Sequence, residues 1–143
     1  LQVVLASRPY QSVGDVAGAV AACSARGAVV GIATGNVRRG AAIKLQSAGL
    51  AGVFDYDLGG YGDDHEIRNL MVEKAVERCG PGPVVVIGDT RQDVEAARHV
   101  GGKVVGVAVN EPTRAELLEA GADAIVDSCG PALVEAIFSV AQR

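Results

Sequence analysis

The sequence passes from strand to helix within Val84-Val85-Val86-Ile87-Gly88-Asp89-Thr90-Arg91-Gln92-Asp93. The apolar residues are typical of a strand buried on both faces of a parallel sheet, and the polar residues after Gly88 predict the start of a helix. Asp89 and Asp93 lie one helical turn apart, which brings both carboxylates to the same side. They are therefore candidate ligands for Mg²⁺, or else they cap the helix and interact with its dipole.

A second strand end carries polar residues of a different kind. The buried run at 29–33 is followed by Thr34, Gly35 and Asn36, and then by a helix. The Thr34 hydroxyl and the two following amides are suited to hold a phosphate oxygen at a helix N-terminus. The alternative is that Thr34 or Asn36 is only a helix N-cap.

The alternation of strand and helix recurs along the whole chain. Further strands are predicted at 104–107, 53–58 and 124–126, and helices at 13–25, 37–48, 65–79, 92–100, 114–120 and 131–141. The connections are so short that only right-handed crossovers fit them. We therefore predict a doubly wound, Rossmann-like three-layer α/β/α fold with a mostly parallel sheet, in which residues 1–143 form a single domain.

Composition narrows the classes of partner. The chain has 143 residues, 49% of them hydrophobic, and a formal net charge of −4. This charge disfavours binding to nucleic acid or to an anionic membrane, and no apolar stretch approaches the roughly 20 residues that cross a bilayer. The three cysteines form no CxxC or Cys/His cluster. We expect a cytoplasmic protein.

Together the two strand ends resemble the haloacid dehalogenase superfamily of aspartyl-phosphate phosphohydrolases, and most closely its phosphoglycolate-phosphatase-like branch. Thr34 resembles the second motif of that family, which binds the transferring phosphoryl group, and residues 88–93 resemble the fourth, the GDxxxD magnesium site. The resemblance implies a Mg²⁺-dependent hydrolase of a small phosphate ester, in which Asp89 is the main metal ligand and Asp93 supports it.

The third motif of the family is a basic residue that binds the phosphoryl group. No Lys stands at the matching place, and Arg68 is the first candidate to fill this catalytic role beside Thr34. His65 is an alternative. Arg68 could equally be a solvated helix residue, with His65 part of the helix cap.

The first motif of the family, DxDx[TV], is absent from its expected place. Its first Asp is the nucleophile, so covalent catalysis cannot proceed without it. Asp55 and Asp57 have the DxD spelling, but they follow the Thr34 strand instead of preceding it. We therefore interpret them as a chance match and predict that this chain alone is inactive.

In the family, the strand that carries the first motif lies at the centre of the sheet. Without that strand, the resemblance implies an empty position between the strands that end at Thr34 and Asp89. Residues 1–5, a partner chain or a segment upstream of Leu1 could fill it, and the upstream segment is the preferred interpretation. On this interpretation the chain is the C-terminal core of a phosphatase-like hydrolase.

The competing hypothesis for the function is an inactive phosphate- and metal-binding or regulatory module. A receiver domain fits the Asp spacing less well, and a dinucleotide-binding domain would need a G-x-G-x-x-G motif after a strand.

Overall fold

The structure, a computed structural model, describes residues 1–6, 14–35, 38–50, 52–62 and 67–143. Its five strands form one parallel sheet in the order β2-β1-β3-β4-β5. The strands are β1 (Gln2–Leu5), β2 (Val29–Ile32), β3 (Val84–Gly88), β4 (Lys103–Val107) and β5 (Ala124–Val126). The helices are α1 (Val16–Ala25), α2 (Arg38–Ser47), α3 (Arg68–Cys79), α4 (Arg91–His99), α5 (Glu111–Ala120) and α6 (Pro131–Ala141). The predicted α/β/α class is confirmed.

Buried side chains form one cluster on each face of the sheet. Val3 and Leu5 of β1 pack with α1 and α6, whereas Val4 and Ala6 pack with α3, α4 and α5. Alternate residues of a strand point to opposite faces, so an apolar strand serves both clusters. Among the helices in the described residues, none is long and apolar enough to cross a membrane.

The central position of the sheet is filled by the chain's own first residues. β1 pairs with β2 on one side and β3 on the other, with Leu5 opposite both Ile32 and Ile87. Of the three segments expected as occupants of this position, residues 1–5 are the ones that the structure places there, and a role for an upstream segment or a second chain stays a prediction. Val3 and Val4 are almost fully buried, which satisfies the requirement that a central strand be apolar on both faces.

The prediction of a strand at 53–58 is wrong. Residues Tyr56–Leu58 form a short 3₁₀ helix, because the carboxylate of Asp55 accepts a hydrogen bond from the backbone N–H of Asp57, at 3.0 Å, and turns the chain. An isolated parallel bridge joins Ala33, which follows β2, to Gly60, which lies beyond the predicted strand. The apolar spelling of this segment reflects packing, since Phe54 is buried.

Helix α5 begins earlier than the predicted start at 114. The side chain of Asn110 accepts a hydrogen bond from the N–H of Thr113, at 2.9 Å, and a proline occupies the first turn of the helix. Asparagine as N-cap followed by proline in the first turn is a recognised helix start. The sequence therefore contained the signal for the earlier start.

Candidate phosphate and metal site

The fold places Thr34 and Asp89 at the same edge of the sheet. Ile32 and Ile87 share the register of Leu5 in β1, and Thr34 and Asp89 each come two residues later. The carboxyl ends of parallel strands meet at one edge. Only β1 lies between the two strands, so their ends are separated by two strand spacings of about 4.8 Å each.

At the end of β2, the chain is held so that Thr34 is buried. The N–H of Thr34 donates to the carbonyl of Gly60, at 3.0 Å, and the N–H of Gly60 donates to the carbonyl of Ile32, at 2.8 Å. Any side chain at position 60 would clash with the carbonyl of Met71. Thr34 is 1% exposed, while Gly35 is exposed and Asn36 lies outside the described residues.

At the end of β3, Asp93 organises the turn into α4. Its Oδ2 accepts hydrogen bonds from the N–H of Asp89 and of Thr90, both at 3.1 Å, and from Thr90 Oγ1, at 2.9 Å. Its Oδ1 pairs with Arg68 Nη1 at 2.6 Å. A side chain at position 88 would collide with the Asp93 carboxylate, which explains the glycine there. Both oxygens of this fully buried residue have protein partners, so Asp93 has the contacts of a positioning residue.

Asp89 differs from Asp93 in its hydrogen bonding. Its Oδ1 is buried and accepts no hydrogen bond from any residue that the structure describes. A buried carboxylate oxygen without a donor is costly, and a bound cation would remove that cost. Within the described ranges, no three His, Cys, Asp or Glu side chains cluster as a ready metal cage. Mg²⁺ suits such a site, because one or two carboxylates with phosphate oxygens and water are its usual ligands.

Arg68 lies beside this turn. It is the first residue of α3, its side chain is 21% exposed, and its guanidinium pairs with the fully buried carboxylate of Asp93. The interpretation of Arg68 as a solvated helix residue is therefore wrong, whereas its role toward a phosphoryl group stays a prediction. The alternative candidate, His65, lies outside the described residues.

Sequence reasoning missed Glu116. Its Oε1 accepts a hydrogen bond from the backbone N–H of Arg91, at 3.0 Å, across 25 residues of sequence. Glu116 lies on α5, and it reaches α4 only because the two helices are neighbours on one face of the sheet. No local motif marks such a contact, so only the tertiary structure could reveal it.

Asp55 and Asp57 have local roles. Asp55 caps the 3₁₀ helix, and the carboxylate of Asp57, which is 78% exposed, forms an ion pair with Arg38 at the start of α2. No strand ends at either residue. Their position is therefore not that of a nucleophile at a strand end.

Comparison with known proteins settles the family. A model of the haloacid dehalogenase-like hydrolases matches residues 1–101. The chain belongs to this family. A search of curated proteins finds no match.

Several solved structures share the fold of this chain. A predicted phosphatase from Clostridium acetobutylicum is 23% identical with a TM-score of 0.71, covering 87% of this chain and 58% of that one. A haloacid dehalogenase-like protein from Streptococcus pneumoniae is 20% identical with a TM-score of 0.68, covering 86% and 58%. The chain thus spans little more than half the length of these two relatives.

The core domain of a proposed phosphoglycolate phosphatase from Streptococcus pneumoniae is matched almost end to end. The match covers 96% of this chain and 94% of that one, at 14% identity and a TM-score of 0.64. At such identities the likeness shows the fold alone.

The first motif of the family has no counterpart at the end of β1. The central strand ends at Leu5, the buried Ala6 follows, and the next residues in the sequence are Ser, Arg, Pro and Tyr. Residues 7–13 lie outside the described part of the chain. The strand position that precedes the family's nucleophile thus leads into a sequence without a carboxylate.

Proposed function

We propose that this chain forms the phosphate- and Mg²⁺-binding core of a phosphatase-like hydrolase acting on a small phosphate ester, and that the nucleophilic Asp comes from outside it. The observation that carries the proposal is the juxtaposition of the buried Thr34 with Asp89 across one strand. Family membership supports a hydrolase, because the family model spans both strand ends.

Each site residue would contribute positioning or charge. Thr34, with the amides of Gly35 and Asn36, would donate hydrogen bonds to the phosphoryl oxygens. Asp89 would hold the metal ion, which when bound neutralises charge on the phosphate. Arg68, oriented by Asp93 at 2.6 Å, would add positive charge beside the same oxygens. None of these residues makes or breaks a bond to phosphorus.

A second candidate function is an inactive module that binds phosphate and metal without chemistry. It is favoured by β1, which occupies the central position and leads into Ala6 instead of an Asp. A strand bearing DxDx[TV] could enter the same position only by displacing residues 2–5. The two candidates therefore differ in whether β1 can be replaced.

Turnover of p-nitrophenyl phosphate with Mg²⁺ separates them. We expect no hydrolysis by the chain alone, because no nucleophile is in place. A segment of four apolar residues followed by Asp-x-Asp-x-Thr, fused ahead of Leu1, should restore turnover if the chain is a hydrolase core. The matched control carries Asn for the first Asp of that segment.

The outcomes are distinct. Turnover in the fused protein that is lost in the Asn control supports the hydrolase core. Phosphate binding without turnover in the fused protein favours the inactive module. Hydrolysis by the unfused chain that is abolished by Asp55→Asn or Asp57→Asn would contradict both candidates.

Phosphate binding by the chain alone is the second test. Calorimetric titration with inorganic phosphate should give binding that Thr34→Val reduces about tenfold, the cost of losing one hydrogen bond to a charged group. Thr113→Val, in the first turn of α5, is the matched control and should bind as the wild type does. Equal affinities in all three proteins would place the phosphate elsewhere.

A further inference from the structure

The turn at residues 89–91 is held by carboxylates on two sides. Asp93, on the same helix, accepts the N–H groups of Asp89 and Thr90. The next N–H, that of Arg91, donates to Glu116 of α5. Three successive amides of the turn thus end on carboxylate oxygens, and only the third bond comes from another helix.

The contact of Glu116 with Arg91 is made to the backbone. The first N–H groups of a helix have no partner within the helix, so an outside acceptor fixes the path of the chain there. Glu116 and Glu119 are both exposed, but Glu119, one turn further along α5, pairs with the Arg91 side chain, at 3.4 Å, and not with its backbone. A flexible ion pair of this kind constrains the backbone little.

We propose that Glu116 is a positioning residue that fixes the 89–91 turn, and through it the direction of the Asp89 carboxylate. The part concerning metal binding rests on the proposed function. Groups that orient a metal ligand without touching the metal commonly tune its affinity. Here the orienting bond reaches the ligand through the backbone, from a helix that contributes no other residue to the site described above.

The first readout is amide hydrogen exchange, followed by NMR without metal. In Glu116→Ala the Arg91 amide should exchange about fivefold faster, the effect of removing one helix-capping acceptor, while amides of β4 keep their rates. Glu116→Gln retains an acceptor oxygen and should stay within about twofold of the wild type. Glu119→Ala is the matched control on the same helix and should also stay within about twofold.

The second readout is the dissociation constant for Mg²⁺, measured by calorimetry in the same four proteins. We expect about a fivefold rise in Glu116→Ala alone. A Glu116→Gln variant as weak as Glu116→Ala would assign the effect to charge and overturn the positioning role. Unchanged Arg91 exchange in Glu116→Ala would overturn it as well.

The two readouts fail separately. If the wild type binds no Mg²⁺, the proposed function fails at Asp89. The exchange rates then still decide whether Glu116 fixes the turn, because they are measured without metal. Exchange of the Arg91 amide that is fast in Glu116→Ala and slow in Glu116→Gln supports the inference whether or not the wild type binds Mg²⁺.

Discussion

Two aspartate pairs of this chain behave in opposite ways. Asp55 and Asp57 lie in an exposed turn, where one caps its own backbone and the other meets Arg38 in solvent. Asp89 and Asp93 follow a buried strand, and Asp93 is fully buried. The sequence spells an acidic pair in both places. Only the pair at the strand end follows the strand that is separated from the Thr34 strand by β1 alone, so the two pairs differ in their position in the sheet and not in their sequence pattern.

Solvent explains the contrast. An exposed ion pair is screened by water and adds little to stability, so we expect the Asp57 carboxylate to contribute little to the free energy of unfolding. A buried carboxylate must be compensated by several donors. Asp93 has four, counting Arg68. Removing the Asp93 carboxylate leaves those donors without their acceptor, which should lower the free energy of unfolding.

The largest effect is expected for Asp93→Ala. The substitution strands the half-buried Arg68 guanidinium and three further donors of the turn, and should lower the free energy of unfolding by roughly 3 kcal/mol. Urea denaturation measures this loss. A loss below about 1 kcal/mol would mean that the Asp93 network contributes little to the fold.

An intermediate effect is expected at Asp123, whose side chain is less exposed than that of Asp57 and more exposed than that of Asp93. Burial disfavours its ionisation, but the bonds from Arg98 and from the N–H of Val104 outweigh burial and hold the pKa of Asp123 below its usual value. Asp123→Asn should cost about 1 kcal/mol at neutral pH.

The pH dependence of that effect has a defined sign. A lowered pKa in the folded state means that the stabilisation is complete above the ordinary value of about 4 and is lost as the pH falls through the folded-state pKa. The stability difference between the wild type and Asp123→Asn should therefore shrink at acid pH. A difference that grows below about pH 4 would contradict the assignment.

The smallest effect is expected for Asp57→Ala. Because the Arg38 pair is exposed, the urea midpoint and the phosphate affinity should match those of the wild type. The same titrations used for Thr34→Val measure both. A clear loss of phosphate affinity would show that the exposed pair takes part in the site.

Local patterns predicted most of the fold. The buried runs ending at Thr34 and Asp89 gave two strands and the edge where they meet, because apolar β-branched runs have few alternatives in an α/β chain. Arg68 was found as a candidate from its place in the motif order, although its bond to Asp93 was not. Predicted and observed bounds of α6 agree, since Pro131 marks its start.

The missed features depend on tertiary context. The segment at 53–58 is apolar enough for a strand, but an Asp55 side-chain bond turns it, and side chains of this kind compete locally with the sheet. Local sequence patterns do not determine which segment occupies the centre of the sheet, because strand order depends on pairing between segments that are far apart in the chain. Glu116 contacts Arg91 only because α4 and α5 are adjacent. No window of sequence contains these relations.

The effect of Mg²⁺ on the thermal unfolding of three proteins is the most direct test of metal binding at Asp89. These are the wild type, Asp89→Asn and Asp57→Asn. Binding to the native state alone raises the melting temperature, by about 8 °C at a hundredfold excess over the dissociation constant. We expect this rise in the wild type and in Asp57→Asn and its loss in a folded Asp89→Asn. An equal rise in all three proteins, or a loss confined to Asp57→Asn, would contradict this expectation.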